Sequence, residues 1–162
     1  MKTQRNLRQQ HQSNGFGLIE LVMVVAILAV LAAIAIPSYR YYLKKTRLSQ
    51  AKQILLTNSH ALDQYYQRHL SYKANSTTWM TLPLTQNDHF CFRLVGNPRG
   101  ATNERYNVKA VALDSEEESR VMKISQDGTV LLCAQSSSRC SDPNPYFSGG
   151  SAVDKECRVF GT

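Results

Sequence analysis

Hydrophobic and polar positions follow three different rhythms along this chain, and each rhythm predicts a different element. From Leu21 to Ile36 sixteen consecutive residues are apolar. A run of that kind reads as a helix that is apolar all round, long enough with its flank to span or nearly span a bilayer. One carboxylate, Glu20, stands at its start. A charge there is costly unless it finds a partner. Beyond Ile36 the apolar positions narrow to one face. Tyr41, Leu48, Leu55 and Leu62 recur every seven residues, and Ala51 and Tyr65 follow Leu48 and Leu62 by three. This stripe predicts that the same helix continues, now amphipathic, to about Tyr66. Pro37 sits at the junction. It has no N–H to donate to the preceding turn, so it should kink or loosen the helix there.

After Tyr72 the helical rhythm fades. "KANSTTWMTLPL" reads as a loop that wraps back over the core, anchored by Trp79 and Leu82. The period then drops to two. "HFCFRLVG" alternates Phe90, Phe92 and Leu94 with Cys91, Arg93 and Val95. "RYNVKAVALD" alternates Val108, Ala110 and Ala112 with Asn107, Lys109 and Val111. Two further strands are predicted at 120–125 and 129–134, joined by a tight turn at Asp127-Gly128. Residues 135–162 are rich in Ser, Gly, Pro and Asp without a period, and read as an irregular lobe. The fold class is therefore α+β: a long N-terminal helix packed on a four-stranded antiparallel sheet, with a C-terminal lobe held by cysteines.

Charge and cysteine usage refine this picture. The 162 residues carry a net charge of +7, but the excess is local. Lys2, Arg5 and Arg8 precede the apolar run, and Arg40, Lys44, Lys45 and Arg47 follow it. From residue 51 onward 12 basic and 11 acidic side chains leave +1. Anion binding by the head must come from placement, not bulk charge. Cations on both flanks leave orientation by the positive-inside rule ambiguous, unless the basic leader is removed inside the cell. Cys91, Cys133, Cys140 and Cys157 follow an export-type segment, which favours two disulfides in an oxidising compartment. No Cys-x-x-Cys or Cys-x-x-His pair suggests a metal. Three disulfide pairings remain open.

Catalysis is not indicated. His60 and His69 diverge on the helix, His89 has no triad partner, His11 lies in the leader, and no Gly-rich phosphate loop is present. No cofactor and no metal are expected. Three cations on adjacent strands carry the one binding signal. Arg93, Lys109 and Lys123 are expected on the outer face of the sheet, away from the helix, as a stripe for a phosphate backbone. The competing reading is ordinary solvated charges, some paired with Glu116, Glu117, Glu118 or Asp127. Gln135, Ser136, Ser137, Ser138 and Arg139 offer hydrogen-bonding groups suited to base edges and phosphates, the competing reading being a polar, solvated loop. Trp79, Tyr106, Tyr146 and Phe147 are expected as core or loop anchors, since stacking on bases requires unpaired strands.

"GFGLIELVMVVAILAVLAAIAIPSY" resembles the N-terminus of the type IV prepilins: a basic leader ending in Gly, then Phe, a small residue, Leu-Ile-Glu, and an apolar helix ending in Pro-Ser-Tyr. Gly17 stands where most members carry Thr. The resemblance implies a leader, residues 1–15, cut after Gly15 by a prepilin peptidase that then methylates the new amino terminus at Phe16. It implies a hydrophobic helix at 16–37, transmembrane before assembly and in the filament core afterwards. The amphipathic half of the helix would cover 38–68, and the head 69–162, with its lobe from about 133. Glu20 would then pair with the amine of a neighbouring subunit's Phe16 and set axial register. Later stretches, "FCFRLVG", "YNVKAVALDSEEESRVMKI", "LLCAQ" and "ECRVF", are similar to the minor pilins that receive double-stranded DNA in natural transformation. That likeness implies a DNA-uptake role and, with the pilin pattern, pairs Cys133 with Cys157 and Cys91 with Cys140. The expected partners are duplex DNA, other pilin subunits, the peptidase, and the inner membrane before export to the pilus. The rival expectation is a minor pilin for adhesion, aggregation or assembly with no DNA role. A type II secretion pseudopilin is disfavoured, because no acid cluster has calcium-loop spacing.

Overall fold

The structure is a computed structural model and describes residues 17–161. Helix α1 runs Leu18–His69 with Pro37 inside it. The chain divides after Tyr41 into two compact units. In the first unit every described residue from Gly17 to Tyr41 is exposed, including the whole apolar run. This half of α1 is long and apolar enough to cross a membrane. Glu20 lies in its first turn, where a carboxylate faces the positive end of the helix dipole. The expected cleavage at Gly15 and methylation at Phe16 lie outside the described residues.

The second unit holds the core. Leu48, Ala51, Leu55 and Leu62 of α1 are buried as the seven-residue stripe requires. Tyr65 is half-buried, and Tyr41 is exposed at 73%. Two polar residues complete the same face. The Asn58 amide donates to the Leu84 carbonyl at 2.8 Å and accepts from the Leu84 N–H at 3.1 Å. Ser59 Oγ meets the Tyr106 hydroxyl at 2.7 Å. Buried polar groups persist because they are satisfied in this way. Leu70 leaves the helix in the left-handed region, at φ 52°.

A short hairpin follows, β1 (Lys73–Asn75) with β2 (Thr78–Trp79), where the sequence suggested only a loop. The Trp79 indole donates to the Gly96 carbonyl at 2.8 Å, and Leu82 is buried, so both act as anchors. The main sheet contains β3 (Phe90–Leu94), β4 (Asn107–Ala112), β5 (Val121–Ser125), β6 (Val130–Ser136) and β7 (Asp154–Val159), antiparallel in that order. The period-two pattern sorts its faces. Phe90, Phe92, Leu94, Val108, Ala110, Ala112, Met122, Ile124 and Val130 join the core built with α1. Cys91, Val111, Val121 and Cys133 form a second apolar cluster with Phe147 of the lobe. The β5–β6 turn closes through Gly128 at φ 76°, and Asp127 accepts from Ser125 Oγ and the Thr129 N–H.

The expected count of four strands is corrected to five. Strand β7, "DKECRV", shows no apolar alternation because it is an edge strand and buries little. Its placement is fixed by pairing with β6, where Cys133 lies opposite Cys157. Both disulfides, Cys91–Cys140 and Cys133–Cys157, are present as the family likeness implied.

Candidate nucleic-acid interface

Strand register places the three predicted cations in one row. Arg93 is directly opposite Lys109, and Lys109 is directly opposite Lys123. The row lies on the sheet face opposite the α1 core, as the alternation required. It does not, however, form an open stripe. The lobe lies over it, and each cation meets lobe or β7 oxygens. Arg93 donates to the carbonyls of Asp142 and Asn144, both at 2.8 Å, and of Cys140 at 2.6 Å. Lys109 is completely buried. Its Nζ donates to Asp154 Oδ1 at 2.7 Å, the Ser148 carbonyl at 2.8 Å and Ser138 Oγ at 3.0 Å. Lys123 keeps partial exposure, with Nζ 3.5 Å from Asp154 Oδ2. The expectation that all three project to solvent is corrected. The lobe needs hydrogen-bond donors for its carbonyls, and the row supplies them.

Burial pushes the Lys109 pKa below its ordinary value, and the adjacent Asp154 carboxylate pulls the other way without cancelling it. Against the row sits the fully buried Phe147 ring of the lobe, 5.0 Å from Arg93 Cζ and 5.9 Å from Lys109 Nζ. Tyr106 is likewise a core residue, 2% exposed.

The lobe residues separate into two sets. Ser136 donates to Asp154 Oδ1 at 2.7 Å and accepts from the Ser138 N–H, while Ser138 is buried against Lys109. These two hold the lobe. Gln135, Ser137 and Arg139 are exposed. The Arg139 guanidinium donates to Ser115 Oγ at 2.9 Å. Lys155, opposite Gln135 on β7, adds an exposed cation that the sequence reading passed over. Asp154 was missed as well. The sequence offered Glu116, Glu117, Glu118 and Asp127 as partners for the row. Instead Glu117 pairs with Arg47, Glu118 with Arg120, and Asp127 serves its own turn. Nothing local distinguishes Asp154 in "SAVDKECRVF"; only the β6–β7 register brings it to Lys109. Among the described residues no group of three His, Cys, Asp or Glu side chains is arranged to hold a metal ion.

Residues 37–135 match the family described as type IV minor pilin ComP, DNA uptake sequence receptor. Residues 10–36 match the prokaryotic N-terminal methylation motif. The solution structure of the minor DNA-uptake pilin ComP from Neisseria subflava is 34% identical, with a TM-score of 0.58, over 70% of this chain and 95% of that one. The type IV pilin ComP from Neisseria meningitidis is 33% identical over 71% of this chain and 98% of that one, with a TM-score of 0.46. No curated protein matches the chain.

Proposed function

The chain belongs to the family of the type IV minor pilin ComP, and from that membership we propose that it is a DNA receptor for natural transformation. The head binds extracellular double-stranded DNA, with preference for a short uptake motif, and the pilus carries it inward. The observation that carries this reading is the family match across residues 37–135, which includes α1 of the head, strands β1 to β5 and nearly all of β6. The cationic row Arg93, Lys109 and Lys123 adds local support, because three like charges side by side repel unless an anion faces them. Gln135, Ser137, Arg139 and Lys155 form the exposed rim beside that row, and Ser136 and Ser138 position the rim.

The same membership supports a membrane-held precursor, processing by a prepilin peptidase between Gly15 and Phe16, and assembly with other pilin subunits, Glu20 setting register. One observation favours the rival, an adhesive or assembly pilin without a DNA role: Lys109 is already engaged by Asp154. The two readings part in one experiment. Among the described residues the core lies at Leu48 and beyond, so a head lacking residues 1–43 retains that core and both disulfides. In a mobility-shift assay this head should bind duplex DNA, lose affinity steeply from low to moderate salt, and still prefer one sequence. Absence of binding at every salt concentration would leave the adhesive reading standing.

A further inference from the structure

The cationic row is covered by oxygens of the protein itself, the same kind of acceptor that a phosphate backbone would offer. Carbonyls of Cys140, Asp142 and Asn144 surround Arg93, and the Ser148 carbonyl, the Ser138 hydroxyl and the Asp154 carboxylate surround Lys109. The segment that brings half of them, residues 141–153, is cross-linked only beyond its two ends. Cys91–Cys140 holds one end, and the Ser136–Asp154 strand pair with Cys133–Cys157 holds the other. Between those pins Phe147 is the one buried apolar side chain. Its backbone joins the end of β3, the Phe147 N–H donating to the Leu94 carbonyl and the Gly96 N–H to the Phe147 carbonyl, both at 2.8 Å.

We propose that residues 141–153 are a lid whose oxygens, together with the Asp154 carboxylate at its hinge, occupy the phosphate site of the head, and that duplex DNA binds by displacing it. The inference rests on the receptor reading and explains how a covered row serves a polyanion. Two further features fit a closure that can open. Asp154 Oδ2 is buried without a hydrogen-bond partner, and Lys123 Nζ lies 3.5 Å from it. The seat is also tight at Gly149, where a Cβ would collide with Val95 Cγ1. Asp154 is thus a positioning residue: it neutralises part of the row at rest and ties the end of the segment to Lys109 and Ser136, and phosphate takes its place.

The head lacking residues 1–43 and sonicated double-stranded DNA provide the test. Amide exchange at Phe147 and Gly96 reports the seated lid, with Ala110 in the middle of β4 as the internal reference. Saturating DNA should speed exchange at Phe147 and Gly96 by about tenfold or more, as a shift to an open state requires, and leave Ala110 unchanged. Exchange that is unchanged or slower in the bound head would overturn the lid. Two variants weaken the closure by unrelated means: Asp154→Asn removes a charge, and Gly149→Ala crowds Val95 with every charge in place. Each should raise DNA affinity, by roughly tenfold if the open state is about 10% populated at rest. The salt slope of Gly149→Ala should stay that of the parent, because the same cations meet phosphate in the bound head. A folded Gly149→Ala head that binds DNA no better than the parent overturns the lid. Binding by the parent with its amides closed sinks the lid alone. Failure of the parent and both variants to bind at any salt sinks the lid and the receptor reading together.

Discussion

Two buried side chains show how single residues decide the behaviour of this head. Lys109 and Asp154 have 0% and 1% side-chain exposure, and each is the other's main charge partner. Such a pair adds little over an apolar one, but removing one member strands the other in a medium that cannot solvate it. Lys109→Met should therefore cost about 3–5 kcal/mol in denaturant unfolding, and Lys109→Met with Asp154→Leu should recover much of that loss. Tyr106 gives a pH signature. Burial pushes its hydroxyl up to about 12 from 10.0, with the Ser59 hydrogen bond pulling the other way. The neutral phenol is the form the fold prefers. Its stabilising contribution is complete below pH 10 and is lost as pH climbs to about 12, because the unfolded chain releases that proton first. Stability should fall across that window, and Tyr106→Phe should flatten the fall. Lys109 acts with the opposite sign below its ordinary value of 10.5, since there the unfolded chain holds the extra proton.

At the scale of elements, the lobe depends on ties that its own sequence does not supply. Its Ser-, Gly- and Pro-rich stretch buries one large apolar side chain, Phe147, so cross-links and Arg93 must hold it. Cys91→Ser with Cys140→Ser opens a bridge between residues 49 apart, and should lower stability by about 2–4 kcal/mol. Amide exchange should rise first around Phe147 and leave α1 of the head and strand β4 protected. Strands β3 to β6 were readable because each presents apolar side chains on alternate positions to a core. The turn at Asp127-Gly128 was readable because its chemistry is local: a carboxylate caps it and glycine accepts the positive φ. Strand β7 was not, since an edge strand draws its order from the neighbour it pairs with. Hairpin β1–β2 was missed for a similar reason: its two and three residues are too few to show a period.

For the whole molecule, the two units divide the work. The exposed apolar half of α1 requires a bilayer or other helices around it, whereas the head has a closed core of its own. Glu20→Ala should accordingly leave the thermal unfolding of the head unchanged while reducing incorporation into filaments, measured by recovery in sheared pili. DNA binding by the head should be strongly salt-dependent, although its composition is close to neutral, because the row concentrates charge. Composition from residue 51 onward gave no hint of that concentration.

The sequence alone determined the long helix, its change from all-round apolar to one-sided at Pro37, the four alternating strands and the facing of the three cations. Each of these follows from local periodicity, which the chain carries in plain order. Tertiary structure alone decided that Asp154 reaches Lys109 from 45 residues away and that the lobe covers the row. Pairing between distant strands and two covalent bridges brings those groups together, and no periodicity within a single segment encodes a contact between segments.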